Sequence, residues 1–252
     1  MVRLERVVIT LLFVVGLASV TVGVRGQEPD VESARVLRQL SAPVDLEFDQ
    51  QPLPDVISFL SMVGGVEFAN PEVLPKKAIV KLKARGISLH SVLSLALLPT
   101  EFVFRVRAGK VVFLEPKEIQ KADLEPAGLP SSKVRKQLRA LKRAKTEFEF
   151  EGGDVRKFVA FLQSHTTVSI VIHDRAVKAA GIRLDQKKVA AFDYDGKLLG
   201  ALDKVLEPHG LAVVHRHEVL LVTSRADAKR KPEKSGRPGK GGKKSGKVSS
   251  QR

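Results

Sequence analysis

Cysteine and tryptophan are absent from the chain, and tyrosine occurs once, at Tyr194. Without a thiol there is no disulfide framework, no cysteine nucleophile and no thiolate metal site. The absence leaves the compartment open and means only that the fold stands without covalent staples. With so few large aromatics, the cores are expected to be built from Val, Leu, Ile and Phe. Catalytic signatures are missing as well: no G-x-S-x-G, H-E-x-x-H, P-loop or G-x-G-x-x-G occurs. No nucleophile stands beside a base, so neither an enzyme nor a cofactor is expected, and no small-molecule substrate.

Acidic residues are the minority charge. Lys and Arg number 43 against 28 Asp and Glu, a formal charge of +15. The excess sits in two stretches: residues 225–252 hold 11 basic and 2 acidic residues, and residues 117–145 hold 9 and 3. The remainder is close to neutral, so the basic character belongs to a linker and a tail rather than to folded segments.

The first 26 residues read as a secretory signal peptide. Arg3 and Arg6 precede an apolar run from Val7 to Val24, and small residues lead to a cut after Gly26. An uncleaved membrane anchor is the alternative, although Gly16, Ser19, Thr21 and Gly23 weaken the run as a permanent span. Both readings put the rest of the chain outside the cytoplasm, in the periplasm or cell envelope.

The main signal is a repeat. Residues 44–60 read V-D-L-E-F-D-Q-Q-P-L-P-D-V-I-S-F-L, and residues 146–162 read T-E-F-E-F-E-G-G-D-V-R-K-F-V-A-F-L. Val44, Leu46 and Phe48 fall on Thr146, Phe148 and Phe150, with Asp45, Glu47 and Asp49 on Glu147, Glu149 and Glu151. Strict alternation of this kind predicts a strand with one apolar and one acidic face. Leu53, Val56, Ile57, Phe59 and Leu60 then match Val155, Phe158, Val159, Phe161 and Leu162 at amphipathic helical spacing. Val66–Phe68 and Val168–Ile170 read as a second strand, with Gly64-Gly65 and Gly152-Gly153 as turn glycines.

Copy two carries extra residues around 175–188, expected to form a surface loop. The match then returns: Val92, Leu93, Ala96, Leu97 and Pro99 meet Ala201, Leu202, Val205, Leu206 and Pro208. This predicts a second helix, with Ser88 and Asp195 as candidate caps. Each copy ends in a hairpin, around Ala108-Gly109 and around Arg216-His217. A short helix precedes each copy, at residues 35–40 and 136–141. The fold class is therefore α+β: two tandem β-α-β-β-α-β-β units, each led by a short helix.

This element order, with the 44–60 phrase and L-D-K-V-L-E-P-H-G-L-A-V-V from Leu202, resembles the short N-terminal (STN) domain of secretins and TonB-dependent receptors. The resemblance covers residues 44–116 and 146–224. It implies a periplasmic recognition module that binds envelope proteins, with self-association as a subsidiary expectation. After Ser224 only a polar tail remains, so neither a secretin pore nor a receptor barrel fits.

The strand acids Asp45, Glu47, Asp49, Glu147, Glu149 and Glu151 are the candidate partner-facing residues, set against the plainer expectation of a solvated strand face. His209, His215 and His217 form the local histidine group. A third metal ligand is not evident, and exposed hairpin positions are expected instead. Asp193 and Asp195 are expected to serve a turn and a cap. The tail, 225–252, lacks the apolar residues to fold and is expected to be disordered. Its Lys229, Arg230, Lys231, Lys234, Arg237, Lys240, Lys243 and Lys244 are candidate contacts to an anionic lipid, wall polymer or nucleic acid. The tail has no aromatic residue for stacking on bases. The linker helix over 133–145 carries a narrow Val134, Leu138, Leu141 stripe in a basic surround.

Overall fold

The computed structural model describes residues 30–120, 123, 126 and 131–229. The signal segment and the tail from Arg230 onward lie outside the described residues. The fold is mixed α and β, with several small sheets.

The N-terminal half opens with α1 (Val31–Leu40), whose first turn is capped by Asp30 accepting the Ser33 N–H at 2.6 Å. The helix therefore starts earlier than the apolar spacing alone suggested. β1 (Pro43–Pro52) pairs antiparallel with β2 (Ile79–Ser88), flanking α2 (Leu53–Gly64). Pro54 suits the first turn of α2, where a missing N–H costs nothing. Gly65 ends the helix in the left-handed conformation that favours glycine. Ser88 caps α3 (Leu89–Ala96) as expected, accepting the Ser91 N–H at 3.2 Å. β3 (Val103–Arg107) and β4 (Lys110–Leu114) form the hairpin through the tight turn Ala108-Gly109.

The expected strand at Val66–Phe68 is only a single parallel bridge from Phe68 to Val111. Two backbone bonds hold it, Ala69 N–H to Val111 O and Val111 N–H to Glu67 O, both 2.9 Å.

The linker is pinned at Asp123, whose fully buried carboxylate takes a fork of bonds from Arg107 at 2.6 and 2.8 Å. That bond to Arg107 holds the Asp123 carboxyl below its ordinary value. α4 (Ser131–Arg143) follows.

The C-terminal half runs β5 (Lys145–Phe150), β6 (Gly153–Asp154), α5 (Val155–His165), β7 (Ile170–Ile172), α6 (Asp174–Ala179), β8 (Lys188–Val189), β9 (Phe192–Lys197), α7 (Leu198–Leu206), β10 (Leu211–Arg216), β11 (Val219–Ser224) and α8 (Arg225–Lys229). β5 pairs with β9, and β6 with β8. β11 is central in a three-stranded sheet, antiparallel to β10 and parallel to β7. This parallel pair is the full version of the bridge at Phe68.

Several expectations are corrected. The extra residues around 175–188 are not a plain surface loop: they form α6 and a 3-10 turn at Leu184–Gln186, and Val177 and Leu184 are buried. Asp195 is not a cap. It lies within β9, and α7 starts from Lys197 without a side-chain cap. The second hairpin turns at His217-Glu218, one residue later than expected. The tail does not begin at residue 225, because α8 continues the fold to Lys229. Asp227 anchors α8, accepting from Thr223 Oγ1 at 2.9 Å and pairing with Arg216 at 3.2 Å.

Buried apolar side chains form two clusters. One gathers α1 through β4, and the other gathers β5 through β11. The first also takes in Val171, Val219 and Leu221 from the C-terminal half. β11 alternates between them, Leu220 and Val222 facing its own helices while Val219 and Leu221 face the other half. A buried Val or Leu contributes about 1.5–3 kcal/mol, so the halves meet through packed apolar contact and not only through their tether.

Candidate functional site

Both strand ribbons display the predicted alternation, with Phe48, Phe148 and Phe150 buried and the intervening acids exposed. Their charge balance differs. In the N-terminal ribbon the acids are answered at home. Glu47 sits across from Lys83 and pairs with it at 3.0 Å, Asp49 pairs with Lys81 at 3.1 Å, and Asp45 accepts the Gly86 N–H at 2.5 Å. Such exposed pairs contribute about 0–1 kcal/mol each, yet they leave the face electrically quiet.

In the C-terminal ribbon the acids face acids. Glu147 lies directly opposite Asp195, and Glu149 directly opposite Asp193, with Glu151 just beyond the strand end. All five are exposed, and among the described residues none forms an ion pair. Like charges directly opposite on a sheet destabilise it.

The ribbon's other face offsets that cost. Phe148 stacks on Tyr194, its cross-strand partner, with ring centroids 5.6 Å apart, and Phe150 meets Phe192 at 6.1 Å. Aromatic pairs contribute about 0.5–1.5 kcal/mol beyond burial. Tyr194 donates to Lys197 O at 2.9 Å and lies so close to α7 that a Cβ on Gly200 would stand 2.5 Å from its hydroxyl. Asp193 and Asp195 thus join the candidate acids, and sequence reasoning misplaced both. The alternation F-D-Y-D from Phe192 was the available signal.

The basic candidates divide. α4 exposes Lys133, Arg135, Lys136, Arg139, Lys142 and Arg143 and contains no acid. Leu141, half-buried, packs with the second core, and Ala144 O accepts the Leu198 N–H at 2.9 Å. Lys229 is exposed at the end of α8. Arg230, Lys231, Lys234, Arg237, Lys240, Lys243 and Lys244 lie outside the described residues.

The histidines depart furthest from expectation. His215 and His217 are not exposed hairpin residues: both are half-buried, His215 on the hairpin face that carries Leu220 and His217 at the turn, near His90 of the other half. Burial pushes His217 down to about 4, and the nearby His90, Arg216 and His173 add to the shift. His215 and His173 are also lowered, chiefly by burial, with Asp227 opposing the shift at His173. Among the described residues no group of three or more His, Asp or Glu is placed to hold a metal.

His217 and Glu218 both adopt positive φ, 49° and 64°. Non-glycine residues there carry strain of order 1–3 kcal/mol each. The strained turn places the Glu218 carboxylate on the start of α3, accepting the Ser88 N–H at 2.7 Å and the Ser88 hydroxyl at 3.1 Å. Neither Glu218 nor this contact was legible in the sequence.

A shallow depression lies between α7 and α8, lined by Asp203, Glu207, Leu211 and Arg225 among others. Burial, then Glu207, raises the Asp203 carboxyl, while Arg225 pairs with Glu207 at 2.7 Å. Among the described residues, no helix is long and apolar enough to cross a membrane. Set against protein-family models, curated proteins and solved structures, the chain finds no match in any of the three.

Proposed function

We propose that this chain is an exported, non-enzymatic envelope protein built from two tandem domains of the secretin/TonB short N-terminal type. The domains recognise other proteins of the envelope, in a secretion or uptake system. The observation that carries the reading is the acidic β5–β9 ribbon. Four carboxylates directly opposed in pairs cost stability and do no structural work inside the chain. A basic segment of a partner laid along the ribbon would remove that repulsion and give strand-edge recognition its charge specificity. In the first copy Glu47 and Asp49 are already paired with Lys83 and Lys81, and Asp45 accepts the Gly86 N–H, so partner recognition belongs to the second copy. The test is a pull-down from envelope extract at low and moderate salt. Wild type is compared with Glu149→Lys/Asp193→Lys and with a chain ending at Lys229, which retains the Asp227 anchor. Partners should persist without the tail and be lost on charge reversal.

The second reading is attachment to an anionic lipid, wall polymer or nucleic acid. Its support is α4, which presents six cations on one short helix without an acid among them. Binding of this kind falls steeply with salt and vanishes when the basic helix and tail are neutralised. Co-sedimentation with anionic vesicles over a salt series separates it from the first.

A further inference from the structure

Two of the differences between the copies converge on one interface. The first is the hairpin turn. In the N-terminal half it is Ala108-Gly109, and it packs on its own leading helix. Gly109 N–H donates to Ser33 Oγ at 3.0 Å, and a Cβ there would come within 2.7 Å of Glu32 Cβ. In the C-terminal half the same turn is His217-Glu218, in the same left-handed conformation but without a glycine. It is received by α3 of the other half, through Ser88. The second difference is the extra segment around α6, where Arg175 bonds Thr100 O and pairs with Glu101 across the same interface. Ser169 Oγ also accepts the Arg85 N–H there, at 3.0 Å.

The corresponding outer face of the first hairpin is unsuited to such docking. Arg105, Lys110 and Val112 stand where the second hairpin has Val214, Val219 and Leu221. The docked face is thus particular to copy two.

We propose that the interface between the two halves is a latch released by acid: proton uptake at its histidines drives the His217-Glu218 turn off the start of α3 and separates the halves. The inference rests on the reading of the halves as separate domains and adds a regulation to it.

The groups around His217 favour its neutral form. Loss of hydration comes first, and His90 on α3, Arg216 on β10 and His173, which leads into α6, are near enough to add to it. Of the interface carboxylates, Glu218 accepts from Ser88, Glu101 pairs with Arg175, and Asp227 pairs with Arg216 and lies beside His173. A proton on His217 therefore enters a largely desolvated site, and Arg216 and the neighbouring imidazoles add to the cost. Separation restores its hydration and uncovers Val171, Val219 and Leu221.

The chain has no cysteine, so a dye pair can be placed cleanly, at Lys76→Cys and Lys188→Cys on exposed positions of the two halves. Energy transfer and far-UV circular dichroism are followed on the full chain from pH 7.5 to 3.5. Transfer should fall between about pH 6.5 and 4 while dichroism stays native. In His217→Asn, which cannot take the proton and tolerates left-handed backbone, the fall should move down by about one pH unit or more. Constant transfer down to the pH of unfolding overturns the latch, as does an unshifted transition in His217→Asn. Loss of dichroism together with transfer overturns both the latch and the separate-domain reading.

Discussion

Glu149 lies directly across the β5–β9 ribbon from Asp193, whereas Glu47, its counterpart in the first copy, lies across from Lys83. One ribbon is internally neutralised and the other is not. The unbalanced ribbon costs the isolated protein stability.

Asp193→Lys should therefore stabilise the free protein by roughly 0.5–1 kcal/mol, replacing a repulsive cross-strand pair with an attractive one. The midpoint of urea unfolding reads this gain. The same variant should lose partner capture, so stability and binding move in opposite directions. A loss of both would point to a folding defect.

Removing the Glu218 carboxylate leaves the Ser88 N–H and hydroxyl at the start of α3 without their cross-half acceptor. Glu218→Ala should cost about 1–3 kcal/mol, the range for depriving a partly buried donor of its bond. The companion Glu218→Gly removes the same bond but relieves the positive-φ strain, so it should be the less damaging of the two by thermal unfolding.

Stability should depend on pH through His217. Its folded value, about 4, lies below the ordinary 6.5, so the unfolded chain takes up the proton first as pH falls. The stability of the docked state is complete above about pH 6.5 and declines from there down to about 4. The loss is at most about 3 kcal/mol. Urea unfolding at pH 7.5, 5.5 and 4.5 measures it, and His217→Asn should flatten the profile in that window.

Gly200 is needed because of Tyr194. Alanine is ordinarily the better helix former by roughly 1 kcal/mol, but here the added methyl would meet the tyrosine hydroxyl at 2.5 Å. Gly200→Ala should destabilise by about 1–3 kcal/mol through overpacking. Adding Tyr194→Phe should recover most of that loss, since the nearest remaining ring atom in line, the carbon that bears the hydroxyl, stands at 3.8 Å. Failure of the second substitution to rescue the first would show that the clash lies elsewhere.

What the sequence determined by itself was local. Period-two alternation announced β1 and β5, helical spacing announced α2, α3, α5 and α7, Ser88 announced its cap, and Ala108-Gly109 announced a hairpin turn. Each of these depends on residues a few positions apart, where side-chain spacing and backbone preference decide the outcome. The tertiary structure decided whatever depends on which distant residues meet. Register along β9 set Asp193 and Asp195 against Glu149 and Glu147, and so made one acidic ribbon unlike its twin. Parallel pairing to β11 made a strand of β7, while the matching segment at Phe68 stayed a single bridge. The docking of one half on the other buried His217 and gave Glu218 its partner, because desolvation and contact across 130 residues of chain are properties of the packed molecule and leave no periodic trace.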